Sequence, residues 1–311
     1  MRHSVRLGIA LIVLAGLTGP VSAAGEALGP LAVAAPSAAQ RRPALLADEA
    51  RTDDPELRSE AFLIVDQRSG RVLLERNAGR VAPIASLTKL MTAMVVLDAG
   101  QSLKETLSVT YQDVDTLRNS RSRLPVGSKL SREEMLRLAL MASENRAAAA
   151  LARHYPGGTR AFVRAMNAKA RALGLQRTRF AESTGLSAGN VSTARDLARL
   201  VQAAARYPLI RAFSTDDAHA VAVKGRLREF RNTNALVRDP AWEIGVSKTG
   251  YIKEAGRCLV MQAWLQDRPL VIVLLDSFGR YTRTADARRL RDWLAERPWE
   301  RVLAAQRASA G

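Results

Sequence analysis

Three short patterns in this chain combine residue types that can activate a hydroxyl: Ser86-Leu87-Thr88-Lys89, Ser143-Glu144-Asn145 and Lys248-Thr249-Gly250, each occurring once and in this order. A serine hydroxyl is a poor nucleophile until a neighbouring base removes its proton. At the start of a helix positions i and i+3 share a face, which brings the Lys89 amine toward the Ser86 oxygen. A lysine serves as base only when its pKa is lowered. An apolar helix around it and a second cation nearby, for which Lys248 is the candidate, both disfavour the charged ammonium. The same helix start aims backbone N–H groups at the place where an oxyanion develops. Ser143 suits a proton carrier between the nucleophile, the lysines and a leaving amine, and Asn145 offers an amide to a peptide-like substrate. Lys248 and Thr249 read as a strand end where an ammonium and a hydroxyl hold a carboxylate. Gly250 then leaves room for a substrate to lie along that edge as an added strand. Taken singly, Ser-x-x-Lys is as readily a helix start and Ser-Glu-Asn a helix junction; the ordered set is what points to covalent chemistry at Ser86.

Those residues need elements to carry them. Ala61–Asp66 and Arg71–Glu75 are apolar runs separated by Gln67-Arg68-Ser69-Gly70, which predicts a β-hairpin. Ala85–Asp98 is apolar on most sides and predicts a buried helix ended by Gly100. Ser131-Arg-Glu-Glu134 has capping-box form ahead of a helix through about Ala142, and Asn145–His154 continues as another. Thr159–Leu173 is amphipathic and stops at Gly174, and Thr193-Ala-Arg-Asp196 reads as a second capping box opening a helix to about Arg206. Trp242–Lys248, Arg257–Trp264 and Leu270–Asp276 have strand length, and Thr282–Ala295 reads as a closing helix. Two strands, a helical block, three strands and a final helix imply one sheet assembled from both ends of the chain.

The whole chain has 311 residues, 47% of them hydrophobic, enough for one large domain or two small ones. Its 47 basic residues against 30 acidic give a net charge of +17, carried by 40 arginines and only 7 lysines. That surplus favours anionic partners without choosing among them. One cysteine, Cys258, excludes an intramolecular disulfide, and three scattered histidines leave no material for a Cys/His metal cluster. No phosphate-binding Gly-x-x-x-x-Gly-Lys-Ser/Thr loop occurs. Residues 1–23 read as a secretory signal: Arg2 and Arg6 in a basic start, an apolar run from Leu7 to Leu17 too short to span a bilayer, and small residues Val21-Ser22-Ala23 before the cut. Residues 24–59, rich in Ala, Pro and Arg, read as a flexible lead-in. A catalytic domain is expected over 60–298 and a short tail over 299–311.

With its motif set, the sequence resembles the penicillin-recognising serine DD-peptidases, specifically the low-molecular-mass penicillin-binding proteins of the D-alanyl-D-alanine endopeptidase type. The supporting context includes Ala85–Thr92, Glu182-Ser-Thr-Gly-Leu-Ser187, Asn190–Ala198, Arg231-Asn-Thr-Asn-Ala-Leu236 and Ser247–Ile252, and spans about residues 60 to 295. The resemblance implies an α/β fold of the α+β type, β-lactamase/transpeptidase-like, with a five-stranded antiparallel sheet flanked by helices and an all-helical block inserted. It implies catalytic Ser86, Lys89 and Ser143 and substrate-binding Asn145, Lys248, Thr249, Gly250 and Tyr251, with the oxyanion held by the N–H groups of Ser86 and Tyr251. A peptidoglycan peptide as substrate, inhibition by β-lactams, no cofactor or metal, no nucleic-acid partner and at most peripheral membrane or wall association follow from it. With the signal segment it implies a periplasmic enzyme.

The sequence leaves rivals. A D-Ala-D-Ala carboxypeptidase passes through the same acyl-serine. A class A β-lactamase shares the motifs and needs a glutamate to activate water; Glu182 is available, but its context lacks Glu-x-x-Leu-Asn and reads as structural. A non-catalytic wall sensor is disfavoured by the intact motif residues. Cys258 reads as a buried small hydrophobe, and Asn232 and Asn234 as residues ordering a loop near the site.

Overall fold

The structure, a computed structural model, describes residues 55–296. The signal segment, nearly all of the lead-in and the tail lie outside the described residues. Chain order begins with β1 (Ser59–Asp66), β2 (Val72–Arg76), β3 (Ala82–Pro83), a 3-10 turn (Ala85–Leu87) and α1 (Thr88–Asp98). There follow β4 (Thr106–Ser108), β5 (Lys129–Ser131), α2 (Arg132–Met141), α3 (Asn145–Arg153), α4 (Gly158–Ala172), β6 (Val191–Ser192), α5 (Ala194–Ala204) and α6 (Pro208–Thr215). The last third contains β7 (Ala218–Val223), β8 (Arg226–Arg231), β9 (Glu243–Ile252), β10 (Gly256–Leu265), β11 (Arg268–Ser277) and α7 (Thr282–Ala295).

The expected sheet forms from both chain ends, in the order β2-β1-β11-β10-β9 with every pairing antiparallel. Its strands are apolar on both faces because both faces are covered. Ala61, Leu63 and Val65 of β1 with Val271, Val273 and Leu275 of β11 face the helical block, while Phe62 and Ile64 with Ile272 and Leu274 face α7 through Ala287, Leu290 and Leu294. The period of two thus splits one apolar run between two cores. The end of the stretch read as lead-in joins the fold: Leu57 is buried, and the Asp286 carboxylate accepts from the N–H groups of Arg58 and Ser59 and from Ser59 Oγ. That tie fastens the start of β1 to α7.

Four local expectations change. Lys248 and Thr249, read as a strand end, lie inside β9, which runs on to Ile252 because its pairing with β10 continues that far. The Ala85–Asp98 stretch enters its helix through the 3-10 turn, because Ala85 takes a positive φ of 47° that an α-helix excludes. Ser131 and Glu134 form a full capping box, but at Thr193 only half forms: the Thr193 hydroxyl accepts from Asp196 N–H while Asp196 accepts from Arg177 N–H and Thr178 Oγ1. The hairpin β7–β8 had no counterpart in the reading of the sequence. Its strands bury little beyond Val221, Val223 and Phe230, so their pattern is faint. The usable signal was Lys224-Gly225, both at positive φ (50° and 74°), as a two-residue hairpin turn requires.

Candidate active site

α1 is buried almost all round, from Thr88 to Val96, and that places Lys89 in the interior. Fully buried, its ammonium donates to Ser86 Oγ at 2.9 Å, Asn145 Oδ1 at 2.7 Å and the Thr184 carbonyl at 2.6 Å. Burial lowers its pKa to about 8, against an opposing pull from the Glu182 and Glu144 carboxylates. The i, i+3 relation read from the sequence therefore holds across the junction of the 3-10 turn and α1.

Ser143 lies at the break between α2 and α3 with φ at +58°, a strained setting for a residue with a side chain. Glu144 then caps α3, its carboxylate accepting from Arg146 N–H and from Ser122 Oγ. This break turns Ser143 toward β9, where the buried Lys248 ammonium donates to Ser143 Oγ at 2.9 Å. Lys248 is held well below the usual lysine range by burial and by the nearby Lys89 and Arg283 charges. The second cation expected from the sequence lies nearby, but the charge effect is felt at Lys248, while the lowering at Lys89 comes from its burial.

Contacts give two of the expected residues a further part. Asn145 is already engaged, accepting from Lys89 and donating to Ser120 Oγ at 3.1 Å, so it orients the base as well as edging the cleft. Gly250 is needed on the protein side: a Cβ there would stand 3.1 Å from the Ile84 oxygen and 3.1 Å from the Ser86 nitrogen. The absent side chain lets β9 close on the nucleophile turn. Gly185, at φ +87°, serves from the other side, since a Cβ there would overlap the Ala85 carbonyl.

Ser86, Ser143, Asn145, Thr249, Gly250 and Tyr251 line one cleft of about 520 Å³. Lys89 and Lys248 reach it only through the two serines. Arg118, Ser120 and Arg283, which no sequence pattern singles out, also line it, as does Thr233. Thr233 Oγ1 accepts from Thr249 Oγ1 at 2.6 Å, and its loop is held by Asn232, which donates to the Ser214 and Asp216 carbonyls, and by Asn234, which donates to Ser247 Oγ. The Asn-Thr-Asn pattern was the available signal for it. Arg283 donates to the Gly250 carbonyl at 3.0 Å and has no carboxylate partner among the described residues. Its position 35 residues beyond Lys248, on the first turn of α7, carries no local motif.

Both Glu182 oxygens serve its own loop, accepting from Thr184 N–H and Oγ1, Gly185 N–H and Asn190 Nδ2. This is the structural role read from its context. Cys258 is buried on β10, and burial pushes its thiol up to about 11, which suits packing and not nucleophilic attack.

The arrangement supplies a nucleophile beside a buried amine, a second Ser–Lys pair across the cleft, and cations without carboxylates on the lining. Comparison with known proteins agrees with that chemistry. The D-alanyl-D-alanine carboxypeptidase family model matches residues 48–279. A D-alanyl-D-alanine endopeptidase of Pseudomonas aeruginosa is 53% identical over 241 residues, 77% of this chain and 78% of that protein. One from Escherichia coli is 47% identical over 269 residues, 83% of this chain and 87% of that protein. Among solved structures, a Streptomyces DD-transpeptidase superposes with a TM-score of 0.71 at 28% identity, covering 77% of this chain and 98% of that one.

Proposed function

The chain belongs to the D-alanyl-D-alanine carboxypeptidase family of serine peptidases, and from that premise we propose that it cleaves D-alanyl peptide cross-links of peptidoglycan through an acyl-enzyme on Ser86. The observation that carries the mechanism is the fully buried Lys89 amine 2.9 Å from Ser86 Oγ, with its pKa lowered to about 8. Neutral Lys89 takes the hydroxyl proton as Ser86 Oγ attacks the D-alanine carbonyl. The N–H groups of Ser86 and Tyr251 hold the oxyanion. Lys89 gives that proton up by way of Ser143, hydrogen-bonded to Lys248, to the leaving amine, the C–N bond breaks, and the acyl chain stays on Ser86 as an ester. Water then attacks that ester, Lys89 again receiving the proton, and Ser86 regains its hydrogen.

Thr249 and Arg283 form a cationic, hydroxyl-bearing end of the cleft suited to the carboxylate of the leaving group. A β-lactam carbonyl enters the same attack and leaves Ser86 acylated, which is the basis of inhibition. The endopeptidase reading is favoured over the carboxypeptidase one by identity: 53% and 47% to relatives named endopeptidase, against 32% to an Escherichia coli carboxypeptidase. A wall-polymer substrate and the signal read over residues 1–23 both support a periplasmic location. Among the described residues no helix is long and apolar enough to cross a membrane.

The test is incubation of the protein with cross-linked muropeptide dimers, Ser86→Ala alongside, with products read by mass. Dimers become monomers with the unchanged enzyme alone. Loss of only a terminal D-alanine would make it a carboxypeptidase, and no product together with no acylation by a fluorescent penicillin would overturn the enzyme reading.

A further inference from the structure

The charged residues lining the cleft are Arg118, Lys253 and Arg283, with no carboxylate among them. Arg283 donates to the Gly250 carbonyl and lines the cleft with Thr249, at the end assigned to the leaving group. Arg118 and Lys253 are a separate cationic end. Arg118 is rigidly presented: Asp115 accepts from the N–H groups of Leu117, Arg118 and Ser120, and Arg118 Nε donates to the Leu186 carbonyl at 2.6 Å. Its Nη2 pairs at 2.7 Å with Glu254, on the turn between β9 and β10. This contact joins the helical side of the cleft to its sheet side. The Glu254 side chain is 46% exposed, and Arg118 is its one ion-pair partner among the described residues.

We propose that Arg118 is a specificity-determining residue that takes a carboxylate carried by the acyl-side peptide, with Glu254 as the internal carboxylate it gives up. The inference rests on the peptidase reading above and extends it to the substrate class. β9 is an edge strand, open to an added peptide. With the leaving group's carboxylate at Thr249 and Arg283 and the scissile carbonyl between Ser86 and Tyr251, the acyl-side chain runs antiparallel to β9, past Ile252 and Lys253. Each residue advances roughly 3.4 Å, so a side chain one or two residues upstream of the acylating D-alanine comes level with Lys253 and the Arg118–Glu254 pair. An exposed ion pair adds little to stability, so a substrate carboxylate displaces Glu254 at small cost and gains a fixed guanidinium. An amide in place of that carboxylate leaves Arg118 with Glu254 and gains nothing.

The experiment uses two synthetic branched peptides in which D-alanine acylates the side-chain amine of a diamino acid. They differ only in whether the residue before the D-alanine carries a free side-chain carboxylate or its primary amide. The readout is the ratio of kcat/KM for the two, which is independent of the amount of competent enzyme. The unchanged protein should favour the carboxylate roughly tenfold, the worth of one charge-assisted hydrogen-bonded pair. Arg118→Gln should bring the ratio near one, Arg118→Lys should retain part of it, and Glu254→Gln should raise it through a lower KM for the carboxylate peptide. A ratio near one in the unchanged protein, or a preference that survives Arg118→Gln, overturns the assignment while leaving the peptidase reading intact. Cleavage of neither peptide by the unchanged protein overturns the peptidase reading and this assignment with it.

Discussion

Gly250 packs so close to Ser86 that a Cβ at Gly250 would stand 3.1 Å from the Ser86 nitrogen. That nitrogen is one of the two donors assigned to the oxyanion, so the strand holding the substrate and the turn holding the nucleophile are locked to each other. The turn has nowhere to retreat, because Gly185 abuts the Ala85 carbonyl from the other side.

Gly250→Ala should therefore leave a folded protein whose Ser86 is displaced by a few tenths of an ångström. Loss of one oxyanion donor costs on the order of a hundredfold in rate, and a partial displacement should cost about tenfold. The second-order rate of acylation by a fluorescent penicillin measures it, and a rate within twofold of the unchanged protein would refute this account of the glycine.

Acylation should depend on pH through Lys89. As general base it works neutral, and with a pKa lowered to about 8 its neutral fraction rises about tenfold per pH unit below that value and levels off above it. Initial acylation rates between pH 5.5 and 9.5 should follow that curve; a flat profile would remove Lys89 from the role of base. The same group links to stability with a definite sign. Its folded pKa lies below the ordinary 10.5, so the cost of burying the ammonium is present below about pH 8 and is relieved as pH rises toward 10.5.

Asn145→Asp puts a carboxylate where an amide oxygen now lies 2.7 Å from Lys89. An anion at that distance favours the ammonium and raises its pKa. The midpoint of the pH–rate profile should move upward by a unit or more, and the rate at pH 7 should fall about tenfold. A midpoint that stays in place would show that Asn145 does not tune the base.

Asp286 should matter to stability. Its buried carboxylate satisfies two backbone N–H groups and the Ser59 hydroxyl and pairs with Arg289. Asp286→Ala orphans them and should cost about 3–5 kcal/mol, with Asp286→Asn costing less because an amide oxygen still accepts. Chemical denaturation measures both, and a loss under 1 kcal/mol for the alanine variant would mean that β1 is not fastened through α7.

Local features were legible in the residue string. The Ser131–Glu134 capping box, the bounds Thr282–Ala295 and the pairing of Lys89 with Ser86 all depend on geometry within one or two turns of chain, which spacing encodes directly. The five strands were legible because two covered faces demand unbroken apolar runs. The hairpin β7–β8 was not, since strands that expose most of their side chains carry almost no hydrophobic period.

What remained for the tertiary structure was which side chains of distant segments actually touch. Asn145 reaches Lys89 across 56 positions, Lys248 reaches Ser143 across 105, and Arg118 finds Leu186 and Glu254 from a loop without a motif. Arg118 and Arg283 are two arginines among 40, alike as letters. Spacing sets which residues share a turn, while the packing of two cores against one sheet sets which turns meet, and so the reactive serine and its motif partners could be read from the string but the contacts of Asn145 and Thr184 with its base, and the arginines that border its cleft, could not.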